Sequence, residues 1–227
     1  DNTQQALIDY ARFALRERSV EVVGITGSVG KTSTKEASVA VLASAHHVFA
    51  NPGNFSGRFG LPISLGLLEP GQRLAVLELA SDSLAEMQQL VALSSPRVGI
   101  ITAIGTTCPE GFGSLEAVAQ GQRALLQALP PDGLAVLNTD DPRVAELATE
   151  APCSVCTFGT TPNAQLRAED VRVSEAGCSL TVHHAGGSQR LALPLVGRHH
   201  LYTALAAAAL GRFYGLSWPR IAEGLAR

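Results

Sequence analysis

Lysine occurs only twice in the 227 residues, at Lys31 and Lys35. Lys plus Arg number 17 against 20 Asp plus Glu, a formal net charge of −3. So even a balance lacks the basic face on which nucleic-acid binding rests, and no nucleic-acid partner is expected. Four cysteines are too few for a disulfide scaffold, which suits a reducing, cytoplasmic setting. No apolar run reaches the ~18 to 20 residues of a membrane helix, so no membrane insertion is expected. The first residues, DNTQQALIDYARF, show neither the basic n-region nor the apolar h-region of a signal peptide. Charged residues make up 16% and hydrophobic ones 46%, the balance of a globular chain.

What is present alternates in type. Apolar spacing predicts helices over residues 4–17, 31–43, 84–93 and 115–129. Between them run short apolar stretches at 20–26, 74–79, 98–104 and 134–137, which read as strands buried on both faces. Strands separated by helices predict an α/β fold with a mainly parallel sheet and right-handed crossovers. After Pro152 the pattern shifts to short segments, SVCTFG, DVRVSEAG, CSLTVHHAGG and QRLALPL, bounded by turn residues. They predict a small antiparallel annex at about 152–196, with AGG as one hairpin turn. Helices return at 201–214 and 219–226, the second with Ser217 as its N-cap. The Ala-rich helix suits close helix packing and is too short to be a membrane segment.

The strongest local signal is ITGSVGKTST, residues 25–34, lying between a buried strand and a helix. Gly27 and Gly30 permit a tight turn that aims backbone N–H groups inward, and the following helix adds its positive end. Lys31 can reach β/γ-phosphate oxygens, and Thr32 carries a hydroxyl suited to Mg²⁺. The expected nucleotide-binding set is Thr26, Gly27, Ser28, Val29, Gly30, Lys31, Thr32 and Ser33. The spacing is a shorter variant of G-x-x-x-x-G-K-[ST], and the alternative is a glycine-rich turn with an exposed lysine. Glu78 follows a buried strand at its C-terminal edge, where open α/β sheets bind ligands. Its carboxylate suits Mg²⁺, with a salt-bridged loop residue as the alternative. The pair Cys153 and Cys156 lacks the second pair of a zinc ribbon, so buried free thiols are expected.

From this loop onward the chain resembles the central ATP-binding domain of the Mur ligases. The likeness is carried in order by TGSVGKTSTKE, GNFSGRFGLPISL, VLELASDSLAEM, VGIITAIG, EGFGSLEAVA, GLAVLNTDDPRV and LVGRHHLYTALAAAAL. The TKE and GNF…GLP stretches resemble most the MurF type, which adds D-alanyl-D-alanine to a muramoyl tripeptide. The resemblance implies ATP and Mg²⁺ as cofactors and amide formation through an acyl phosphate in peptidoglycan synthesis. It implies a UDP-muramoyl-peptide and a D-alanyl-D-alanine-like amine as partners. It also implies an N-terminal substrate domain and a C-terminal domain that these 227 residues do not include. Lys31 and Glu78 match its catalytic residues, and Thr32 with Glu78 its metal ligands. Asn138, His200 and Thr203 match positions near its nucleotide; Asn138, Asp140 and Asp141 also read simply as a turn ended by Pro142.

Some matched positions depart from the family. Its second-metal histidine falls on Cys108, and its carbamylated lysine on Gln122. The only lysines lie far away at Lys31 and Lys35, so no shifted alignment restores one. Thiolate is a poor ligand for hard Mg²⁺, and a carboxamide carries no charge. The paired polar residues after GNF fall on Ser56 and Gly57, with Arg58 next. Alongside the ligase reading stands a non-catalytic or divergent relative that binds nucleotide.

Overall fold

In a computed structural model, residues 2–105 and 110–227 are described. The chain runs α1 (Thr3–Glu17), β1 (Glu21–Thr26), α2 (Lys31–Leu42), β2 (Val48–Ala50), α3 (Gly60–Leu65), β3 (Leu74–Glu78), α4 (Leu84–Ser94) and β4 (Val98–Ile101). It continues α5 (Leu115–Gln127), β5 (Leu134–Asn138), α6 (Pro142–Leu147), β6 (Ser154–Gly159), β7 (Leu166–Ser174), β8 (Gly177–His184), β9 (Gly187–Leu193), α7 (His200–Phe213) and α8 (Trp218–Leu225).

Among the described residues nine strands form one sheet in the order β2-β3-β1-β4-β5-β6-β7-β8-β9. Every pairing from β2 to β7 is parallel, and β7-β8-β9 is antiparallel. Strand residues alternate between two apolar cores. Val23 and Ile25 face the layer built from α2, α7 and α8. Val22, Ala75 and Leu77 face the layer of α1, α3, α4, α5 and α6. With helices on both faces, β3 and β5 are buried along their whole length, which explains their unbroken apolar runs. The alanines of α7 are buried, and a run of small side chains lets this helix lie close on the sheet.

The structure corrects the sequence reading at several elements. SVCTFG is β6, parallel to β5 and part of the main sheet. The annex is therefore only β7 to β9, and it extends the same sheet instead of forming a separate patch. The hairpin turn at residues 185–186 joins β8 and β9, as the AGG stretch predicts. β2, α3 and α6 are absent from the sequence reading. Ser217 occupies the N-cap of α8, but its side chain makes no cap hydrogen bond.

Candidate phosphate and metal site

β1 delivers the chain to Thr26, and α2 begins at Lys31, so residues 27–30 must turn within one short loop. Gly27 makes this possible: its φ is +142°, and a Cβ there would overlap the Thr102 hydroxyl and stand 3.0 Å from the Ala103 nitrogen. The segment after β4 braces the loop from the side. Thr102 donates its hydroxyl to Val29 O at 2.6 Å, with Thr26 O at 3.2 Å. Ser28 N donates to Ala103 O at 2.8 Å, and Gly105 N donates to the Ser28 hydroxyl at 2.9 Å. The first N–H groups of α2 have no partner within the helix and point out of its N-terminus, as anion binding requires.

Lys31 Nζ donates to Gly27 O at 2.7 Å, folding the side chain back over the loop. Burial lowers its pKa, and the Glu78 carboxylate opposes that shift. Glu78 closes β3 directly beside Ile25 of β1 and is buried. Its Oε2 accepts from the Thr32 hydroxyl at 2.8 Å. The fold thus joins the two residues expected at the metal.

Two cavities flank the loop. One, about 530 Å³, is lined by Thr26, Gly27, Ser28, Lys31, Ser81 and Gln122, among others. Ser56 and Gly57 also border it, while Arg58 N donates to Glu86 Oε1 at 2.9 Å. Gln122 is 4% exposed, and its Oε1 has no hydrogen-bond partner among the described residues; the same holds for Ser81 Oγ. Cys108 lies outside the described residues. Among those described, no group of three or more His, Cys, Asp or Glu is placed to hold a metal ion. The neutral carboxamide of Gln122 brings no charge to a second Mg²⁺, whereas the hydroxyl of Thr32 and the carboxylate of Glu78 are oxygen donors of the kind a first one takes.

The second cavity, about 550 Å³, lies on the opposite side and is lined by Gly30, Ser33, Asn138, His199, Tyr202 and Thr203, among others. His200 is not on its wall. Burial, with His199 adding to it, lowers the His200 pKa. Asn138 lines the cavity with its amide already engaged: Nδ2 donates to Thr102 O at 2.8 Å, and Oδ1 accepts from Asp140 N at 3.1 Å. Burial works to raise the Asp140 pKa, but donation from the Thr160 hydroxyl and N–H and from the Tyr202 hydroxyl outweighs it and holds the value low. Tyr202 is pushed the other way, to about 12, by burial and by the Asp140 carboxylate. Asp141 caps α6, accepting from Arg143 N at 3.0 Å. Cys153 and Cys156 are free thiols, and burial raises Cys156 to about 11.

A mainly parallel sheet in which an interior strand leads through a glycine loop into a helix, with a lysine and a carboxylate-paired hydroxyl at the turn, defines the phosphate-loop class. Within it, the chain belongs to the Mur ligase family, matching the Mur ligase middle domain over residues 25–211. It is 32% identical over 225 residues to the UDP-N-acetylmuramoyl-tripeptide--D-alanyl-D-alanine ligase of Bacillus subtilis, covering 99% of this chain and 48% of that protein. It superposes on MurF from Acinetobacter baumannii with a TM-score of 0.91 at 26% identity, covering 99% of this chain and 49% of the other. With the MurF ligase of Thermotoga maritima, solved in complex with ADP, the TM-score is 0.84 at 26% identity, over 98% and 52% of the two chains. The chain spans about half the length of the relatives it matches.

Sequence reasoning missed Asn51, Thr102, His199 and Tyr202, each of which shapes the site from another part of the chain. No helix among the described residues is long and apolar enough to cross a membrane.

Proposed function

We propose that this chain is the ATP-binding central domain of a MurF-like ligase of peptidoglycan precursor synthesis, acting in the cytoplasm. The observation that carries the reading is the Thr32–Glu78 pair, set on a phosphate loop that also holds Lys31. Loop and helix N–H groups between Val29 and Ser33 face the phosphates, while Thr26 and Ser28 hold the loop to β4 and the segment after it. Lys31 neutralises charge on the oxygens of the transferred phosphoryl group. Thr32 and Glu78 would hold Mg²⁺, which supplies charge stabilisation to the same oxygens when bound. The cavity on the side of Asn138, His199, Tyr202 and Thr203 receives the rest of the nucleotide. His200 lies next to that wall, its ring 4.1 Å from the ring of His199.

The cavity beside Lys31 and Gln122 faces the acceptor acid, a UDP-muramoyl-peptide. Its carboxylate oxygen attacks the γ-phosphorus, and ADP leaves with the bond electrons. A D-alanyl-D-alanine-like amine then attacks the acyl phosphate carbon, phosphate departs, and the amine loses a proton. Positioning and electrostatics supply most of such a rate, and no protein nucleophile is required. Flanking N- and C-terminal domains complete the grip on both substrates.

A second reading is favoured by one observation. The buried neutral carboxamide of Gln122 gives a second Mg²⁺ no charged ligand. A divergent relative that binds nucleotide and ligates slowly or not at all accommodates that residue. Phosphate release by the full-length protein separates the two. Release that requires both the muramoyl-peptide and the amine supports the ligase, and release indifferent to them overturns it.

A further inference from the structure

Lys35 is the second of the chain's two lysines, and its side chain is 0% exposed. It lies on α2 one turn beyond Thr32. A lysine amino group carries three donors, and burying it is costly unless acceptors meet it. An apolar side chain of the same length fills such a space at less cost. The use of the amino group therefore lies in what it holds. Nζ donates to the main-chain oxygen of Asn51 at 2.7 Å and stands 3.2 Å from Oε1 of the exposed Glu36.

Asn51 is itself fully buried. Its side chain grips the main chain of Glu78 on both sides: Oδ1 accepts from Glu78 N at 2.9 Å, and Nδ2 donates to Glu78 O at 3.1 Å. Nδ2 also donates to Phe55 O at 2.8 Å. The Glu78 carboxylate then accepts from Thr32. The contacts close into a ring that runs from Thr32 to Glu78, to Asn51, to Lys35, and back to Thr32 through one turn of α2.

We propose that Lys35 is a positioning residue for the divalent cation of the Thr32–Glu78 pair, a proposal that rests on the nucleotide-binding reading above. Its amino group is sealed from solvent and acts through Asn51 and Glu78. Lys31, four residues earlier, lines the open cavity and acts on phosphate directly. The two lysines divide the work: one neutralises the phosphates, and the other fixes the carboxylate that holds the metal. Outer partners that orient a ligating carboxylate are worth about 10- to 100-fold in metal affinity.

The test titrates ATP into the 227-residue chain by calorimetry, once in excess Mg²⁺ and once in EDTA. Lys35→Met is expected to lower affinity for Mg²⁺-ATP by about tenfold while leaving metal-free ATP within about twofold of wild type. Lys31→Ala is expected to lower both. Unchanged Mg²⁺-ATP affinity in Lys35→Met overturns the proposal. An equal loss with and without Mg²⁺ also overturns it, because it marks general support of the loop. If circular dichroism shows that Lys35→Met does not fold, Asn51→Ala is read on the same two titrations with the same expectation, since it frees Glu78 and keeps Lys35. A wild-type chain that binds no ATP overturns the nucleotide reading itself, and this proposal with it.

Discussion

The Thr32 hydroxyl donates to the Glu78 carboxylate at 2.8 Å although 46 positions separate the two residues. The parallel register explains the meeting. Ile25 pairs with Glu78, so the C-terminal ends of β1 and β3 stop side by side, and the helix that follows β1 starts over the end of β3. A hydroxyl and a carboxylate held in contact are two hard oxygen donors of the kind a small divalent cation takes.

Lys31 is the first point at which the nucleotide reading is testable. Its amino group is half-buried, donates to Gly27 O and lies in the field of Glu78. Lys31→Ala removes a charge-assisted contact worth about 1.5–3 kcal/mol, so ATP affinity is expected to drop roughly 10- to 100-fold. Calorimetry giving the same affinity for both proteins rules out the phosphate-loop assignment.

Much of the site was legible because its parts are local. Residues 25–34 carry glycines, lysine, threonine and helix start in one stretch, and Glu78 ends an apolar run. What escaped depends on distance. Lys35 meets Asn51 across 16 positions, and Asn51 meets Glu78 across 27, so neither spacing nor motif signals the ring. A lone lysine on the buried face of α2 was the one available hint. β6 escaped because its first four residues are exposed or half-buried, unlike the unbroken buried runs of the parallel strands β3 and β5. β2, at three residues, and α3 and α6, at six, are too short for periodicity to register.

Gly27→Ala tests the loop geometry without touching charge. The new methyl group meets Thr102 and Ala103 at a φ that L-residues rarely adopt. A destabilisation of about 1–3 kcal/mol is expected, together with loss of measurable ATP binding. Urea unfolding and calorimetry check the two parts, and wild-type behaviour in both contradicts the bracing role of Thr102.

Tyr202 links the second cavity to pH. Its folded pKa, about 12, lies above the ordinary value of 10.0 because of burial and the Asp140 carboxylate. The folded state therefore keeps the proton in a range where the unfolded chain has lost it. The stability this contributes is fully present below pH 10 and fades as pH rises towards 12. The gap between wild type and Tyr202→Phe, from urea unfolding at stepped pH, should narrow over that window. A gap that widens there has the wrong sign for this coupling.

The 227 residues alone are expected to bind ATP and form no amide. The chain spans about half the length of the relatives it matches, and both substrates must be gripped at once for attack. Mixing it with ATP, a muramoyl-peptide and D-alanyl-D-alanine should release no phosphate above the level seen with ATP alone. Steady amide formation by this chain removes the need for flanking domains.

Gln122 decides between the two readings of the function. Its carboxamide is buried against the cavity that holds Lys31, and its Oε1 has no partner among the described residues. A neutral amide oxygen is a weak substitute for a carboxylate at a hard dication, because it brings no charge to offset desolvation of the ion. A crystal with a non-hydrolysable ATP analogue and Mg²⁺ is therefore expected to show one metal, at Thr32 and Glu78, and no ion beside Gln122. The full-length protein should then ligate weakly or not at all. Pairing Gln122→Lys with Cys108→His restores the ligand types that the family resemblance implies, and should raise whatever activity is present. Mg²⁺ density within coordination distance of Gln122, together with rapid turnover by the unmodified full-length protein, would establish a rebuilt two-metal site and leave the ligase reading alone.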